Sequence, residues 1–194
     1  LLGSFMSAAL SQVFEVEALA VASPATVSRV GTIYMEPARV VGINAQIDAW
    51  LMALPTALLS HRERLDELLR AFIPPLITTV RKTSVEYVST GDGNLVASTL
   101  NLLTTFWTPF ISIEGIYTPF EELVAVLPKI IERAVVFSVL WGIGASSDAA
   151  SRRGFDVALR ARIRELGLES TVALPETGTA YDFAIDLSPS YEST

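Results

Sequence analysis

TPFEELVAVLPKIIERAVVFSVLWGIGA, residues 118–145, decides the fold class. Thr118 can cap a helix, Pro119 suits the first helical position, where no N–H is needed, and Glu121 stands third, where its carboxylate can reach back to the cap. A helix should follow. Pro128 predicts a kink or a split in it. From Ile130 to Trp141 the segment is apolar on most sides, so it should lie at the centre of a fold with Trp141 buried. Its apolar run, 134–145, is shorter than a membrane span and follows Glu132 and Arg133 directly, so it reads as a buried helix. Gly142 and Gly144 end it.

Helical periodicity continues on both sides. Ile47, Trp50, Leu51 and Leu54 share one face, and Pro55 stops that helix. In SHRERLDELLRAFIPP the stripe is Leu65, Leu68, Leu69 and Phe72, interrupted by Pro74-Pro75, with LITTVRK as a further helical piece. STGDGN is a loop with Asp92 or Asn94 as candidate caps. Leu95, Leu102, Leu103 and Phe106 mark the next helix. After the central helix, Phe155, Leu159, Ile163 and Leu166 point inward, Arg152, Arg153, Arg160 and Arg164 mostly face water, and Gly167 is the expected C-cap. Tyr181, Phe183, Ile185 and Leu187 alternate, which predicts a strand or an extended arm.

The N-terminal stretch reads differently. VFEVE at 13–17 and Thr32–Met35 have strand patterns. Between them Ser23-Pro24 opens a very short helix, and Gly31 breaks the chain before the second strand. Arg29 stands at the end of that helical turn. Two readings of it stay open, an outward-pointing guanidinium or a surface ion pair, the pair being the commoner. Two short strands cannot stand alone, so this is the edge of a larger α/β sheet. The pattern as a whole predicts a mostly α protein: a small α/β remnant, a helical body, then an extended tail.

Composition bounds the function. The chain has 194 residues, 51% hydrophobic and 18% charged, enough for a sizeable core. Its net charge of -7 argues against nucleic acid as the main partner, and no membrane partner is expected. Without cysteine there is no disulfide or thiolate chemistry. No GxxxxGK[ST] phosphate loop occurs; GIGASS at 142–147 follows an apolar helix and has no lysine, so it reads as a helix stop. GDGN at 91–94 is too short for a calcium loop. His61, the only histidine, lies among charges and reads as solvated. Glu15 and Glu17 share a strand face, where solvation is commoner than catalysis. Arginines 152, 153, 160, 162 and 164 form a basic face suited to a protein contact or to solvent. No metal or other cofactor site of its own is expected. These residues alone describe a mostly helical module without a self-contained active site, and a free-standing interaction or scaffold module is one reading of it.

Several stretches together resemble dynein heavy chains. VFEVEALAVASPATVSRVGTIYMEP, residues 13–37, resembles the family's VFEVxDLxxASPATVSRCG and the apolar strand after it, with Ala18 in place of an acidic residue and Val30 in place of cysteine. IDAWL at 47–51, FIPP at 72–75 and DGNLVASTLNLL at 92–103 resemble its helical lid. VFSVLWGIGASSDAASRRGFDVALR at 136–160 is similar to FxFSLIWSxGxxxDxxSRxxFDxxxR, and LPETGTAYDFAID at 174–186 to the P-x-x-G-x-x-YD stretch before the third module.

The resemblance implies a helical AAA+ lid-type bundle at 44–167, preceded by the C-terminal edge of a large α/β subdomain at 1–43 and followed by an extended linker at 168–194. It implies a piece of the second module of a ring ATPase that moves toward microtubule minus ends, enzymatic only within the intact motor. Arg29 then aligns with the trans-acting arginine that reaches the first module's nucleotide. ATP and magnesium belong to the parent motor. The implied partners are neighbouring AAA+ modules, with intermediate chains, light chains and microtubules through the parent complex. The implied location is the cytoplasmic cytoskeleton, including a ciliary or flagellar axoneme.

Overall fold

The computed structural model describes residues 23–29, 42–107 and 120–184. The chain divides into two compact units, Leu1–Glu36 and Pro37–Thr194. In the first, α1 is the single turn Pro24–Val27. The strands expected at 13–17 and 32–35 lie outside the described residues. In the second unit α2 spans Ile43–Met52, α3 Arg62–Thr83, α4 Asp92–Trp107, α5 Phe120–Gly142 and α6 Ala149–Glu165. Short 3-10 turns lie at Thr56–His61, Gly144–Ser146 and Ala180–Asp182. The protein is thus mostly helical. Among the described residues the only extended pairing is one isolated bridge, Glu86 to Ser147, and no helix is long and apolar enough to cross a membrane.

The stripe read from the sequence positions α3 at the centre. Leu65, Leu68, Leu69, Phe72, Ile73 and Leu76 are all buried, and α3 packs against α2, α5 and α6. Pro74 and Pro75 do not interrupt it, contrary to expectation: the helix runs through both. A proline at position 75 removes the N–H that would have bonded to the carbonyl of Ala71. That carbonyl instead accepts from Arg162 Nε of α6 at 2.8 Å. The orphaned acceptor is satisfied across the helix interface.

Pro128 likewise lies inside α5 without splitting it. The proline costs roughly 3 kcal/mol. Burying a single large aliphatic side chain returns about 1.5–3 kcal/mol, and beyond Pro128 the helix buries Ile130, Ile131, Val135, Val136, Val139 and Leu140. The cap expected from Thr118 and Pro119 lies outside the described residues.

α4 and α5 make the most extensive helix contact. It is close enough that a Cβ on Gly142 would lie 2.6 Å from the Cα of Thr99. Leu95, Leu103 and Trp107 of α4 are buried. Asp92 and Asn94 are not caps. The Gly91 carbonyl accepts the N–H groups of Asn94 and Leu95 at 3.0 and 3.3 Å, so Asp92 is the first helical residue. Its carboxylate is free to pair with Arg81 at 2.7 Å.

α6 opens with Asp148, whose side chain accepts from Ser151 N at 2.8 Å. It closes as predicted at Gly167, where φ is 66°. The N–H of Leu168 returns to the carbonyl of Ile163 at 3.0 Å and that of Gly167 to Arg164 at 3.1 Å. This paired closure needs a left-handed residue, which glycine supplies without steric cost.

Trp141 departs from expectation: it is 37% exposed, whereas Trp107 is the fully buried tryptophan. Apolarity on most sides of the segment 130–141 predicts a central, buried tryptophan there. On the outer face Phe137 meets Phe106 of α4 edge-on, and beyond α6 Phe183 lies near Phe137 and Tyr181 near Trp141.

Candidate functional site

Arg29 is mounted on α1. The carbonyl of Ser23 accepts Val27 N–H at 3.0 Å, and that of Pro24 accepts Ser28 N–H at 3.0 Å. Ser28 Oγ donates to the Ala25 carbonyl at 3.1 Å and closes the turn. Arg29 follows in that turn and is exposed. No ion pair to Arg29 occurs among the described residues, whose ion pairs involve arginines 64, 70, 81, 160, 162 and 164. Glu15, Glu17 and Glu36, the carboxylates that flank this turn in the sequence, lie outside the described residues. An uncommitted guanidinium offers a planar fork of donors that matches a phosphoryl group.

A second constellation was not assembled by sequence reading. Residues 175–183 form a strap across α5 and α6. Asp156 of α6, 8% exposed, accepts Ala180 N–H at 2.7 Å and Arg160 Nε at 3.0 Å. Arg160 also donates to the Pro175 carbonyl at 3.0 Å. It is therefore committed to the strap and not simply solvated, as expected. Tyr181 Oη donates to the Gly144 carbonyl at 3.0 Å. Its ring meets Trp141 edge-on with centroids 5.6 Å apart, and the Arg152 guanidinium lies 5.6 Å from its centre. Burial pushes the Tyr181 phenol up to about 12, against the pull of Arg152 and with a smaller push from Asp156. Phe183 packs near Phe137 at 6.5 Å.

The strap is not the strand or arm expected from alternation. Ala180–Asp182 is a 3-10 turn in which Thr179 and Asp182 cap each other reciprocally. Ile185 and Leu187 lie outside the described residues. The signals that could have found the anchor were present in FD at 155–156 and YD at 181–182, but contact between them needs the fold.

The loop after α3 is pinned separately. Glu86 accepts from Arg81 at 2.6 Å and from Ser146 Oγ at 3.0 Å, and also from Thr90 Oγ1. Burial pushes its carboxyl up, but hydrogen bonds from Thr90 and Ser146 and the Arg81 charge hold it below the usual carboxylate range. His61 ends a 3-10 turn, half-buried, just before α3. Among the described residues no three His, Asp or Glu side chains group so as to hold a metal ion.

Of the basic face, Arg153 and Arg164 are exposed, while Arg152, Arg160 and Arg162 each bond a backbone carbonyl. The face is largely internal wiring.

Residues 65–192 match the family model described as "Dynein heavy chain AAA lid domain". The chain is 36% identical over 182 residues to dynein axonemal heavy chain 1 of Mus musculus and 35% over 181 residues to that of Homo sapiens. It is 31% identical over 196 residues to dynein axonemal heavy chain 12 of Mus musculus. These alignments cover 93–94% of this chain but only 4–6% of the relatives. No solved structure shows a significant match. The chain belongs to the dynein heavy chain AAA lid domain family.

Proposed function

Starting from membership of the dynein heavy chain family, we propose that this chain is the lid of the second module in a dynein motor ring and supplies Arg29 to the nucleotide of the first. Residues 1–43 are then the edge of the large subdomain, 44–167 the lid and 168–194 the run toward the third module. The parent motor binds ATP and magnesium and drives movement toward microtubule minus ends. Its partners are the neighbouring modules, intermediate and light chains, and microtubules. Axonemal location is favoured by the relatives, whose names place them among axonemal dyneins. The chain contains no GxxxxGK[ST] loop, so the hydrolysed nucleotide is assigned to another part of the ring.

The observation that carries the arginine assignment is the exposed Arg29 on its short, hydrogen-bonded turn, with no carboxylate pairing it among the described residues. Positive charge at a transferring phosphoryl group stabilises the transition state, and an arginine from a neighbouring module can supply it. In the full motor, Arg29→Ala should lower ATP turnover by a factor of order 10²–10⁵, with a much smaller loss of nucleotide binding. Arg29→Lys should restore little, because it returns charge without the fork. Steady-state ATPase normalised to folded protein measures this. Unchanged turnover, with a lowered melting temperature, would make Arg29 a structural residue.

A free-standing scaffold is the competing reading, and the flanking coding sequence separates the two. In-frame upstream coding for a phosphate loop supports the motor, and stop codons on both sides support the scaffold.

A further inference from the structure

We propose that residues 175–183 are a latch pinned by Asp156, which opens as a unit without unfolding the helical bundle. Resting on the lid reading above, the latch decides whether residues 175–183 move with the lid or apart from it. Three observations converge on this segment.

The first is the concentration of its anchors. A single carboxylate, Asp156, takes both the Ala180 N–H and Arg160, and Arg160 in turn holds Pro175. The Pro175 end and the Ala180 turn of the segment therefore both lean on one nearly buried group. Removing it leaves a buried N–H unpaired and frees Arg160, and an unsatisfied buried donor bears the full cost of its desolvation.

The second is that the segment is internally structured. Thr179 N–H bonds to Asp182 Oδ2 at 2.9 Å, Asp182 N–H to the Thr179 carbonyl at 3.1 Å and Phe183 N–H to the Ala180 carbonyl at 3.0 Å. A piece that carries its own turn can leave and return as a unit, because its local bonds are kept when its docking bonds break.

The third is the surface it covers. The Tyr181 hydroxyl meets the Gly144 carbonyl, and a Cβ on Gly144 would lie 2.6 Å from the Phe155 ring. Trp141 stays partly exposed beside it. The bundle helices do not rely on the strap for their main contacts: α3 packs against α2, α5 and α6, and α4 against α5. Opening the latch therefore uncovers an aromatic ledge and the edge of the core where Ala180 is buried, and leaves the helix–helix contacts of the bundle in place.

Hydrogen exchange with mass spectrometry on the intact 194-residue chain tests this, comparing wild type with Asp156→Ala. The amides of 176–183 should exchange at least about tenfold faster in the variant, with those of α3 and α5 unchanged. Wild-type exchange in the strap would overturn the proposal. So would an equal acceleration throughout α3 and α5, which would make Asp156 part of the bundle core. If Asp156→Ala does not fold, Tyr181→Phe removes only the Gly144 bond. It should speed exchange at 180–183 several-fold and shift Trp141 fluorescence, and no change in either would overturn the latch. None of these readouts requires motor activity, so loss of the latch and loss of the lid reading are told apart.

Discussion

Tyr181 carries a pH signature of its own. Its phenol is neutral at pH 7, and burial raises the folded-state value to about 12 from an ordinary 10.0. Between those values the folded chain holds the proton more tightly than the unfolded chain does, so stability falls as pH rises. Below pH 10 the contribution is fully present; by about pH 12 it is gone. Phenolate absorbance should show a late ionisation step from Tyr181, and Tyr181→Phe should remove that step. It should also flatten the alkaline arm of thermal stability. A late step that survives the substitution would place the perturbed phenol elsewhere. Other residues act by geometry alone: Gly144 admits the tyrosine, and Gly167 closes α6 with its positive φ.

At the scale of elements, the proline pair in α3 makes the sharper prediction. Arg162 Nε bonds the carbonyl that Pro75 leaves without a helical partner. Arg162→Leu should therefore cost about 1 kcal/mol, the low end of the penalty for an unsatisfied acceptor, because the Ala71 carbonyl is only part-buried. In a Pro75→Ala background the restored N–H can take that carbonyl, and the same arginine change should cost distinctly less. A double-mutant cycle in urea would show coupling of about 0.5–1 kcal/mol. Strict additivity would mean that Arg162 does not compensate for the proline. This pair also shows where sequence reading stops. The stripe Leu65, Leu68, Leu69 and Phe72 was legible because helical period alone puts those positions on one side, and all four are buried. The continuity of α3 was not, because the group that satisfies Ala71 stands 91 residues away. Trp141 failed for a related reason: its cover is a strap whose alternating pattern resembles a strand, and local capping by Thr179 and Asp182 turned it into a 3-10 turn. Of the candidate site, the exposed turn bearing Arg29 followed from Ser23-Pro24 and the residues after them. The Asp156 anchor needs two blocks brought together by packing.

The whole molecule answers a different question, whether the chain can hydrolyse ATP unaided. Phosphoryl transfer needs a cradle for the β- and γ-phosphates, a metal bridging them, a positioned water and positive charge at the transferring group. The sequence contains no phosphate loop, and GIGASS at 142–147, its nearest glycine-rich stretch, begins at the last residue of α5 and runs through a 3-10 turn. A cradle of that kind instead follows a strand and opens a helix. Gly144 is moreover occupied, its carbonyl taken by Tyr181 and its Cα against Phe155. An exposed guanidinium such as Arg29 supplies only the positive charge in that set, not the cradle, the metal or the positioned water. The purified 194 residues should therefore show no magnesium-dependent ATP turnover above a buffer blank, and Arg29→Ala should make no difference to that baseline. In the parent motor the same substitution should be severe. Robust magnesium-dependent turnover by the isolated chain, lost on heating through its melting transition, would place a complete nucleotide site within these residues and overturn the division of labour argued for the ring.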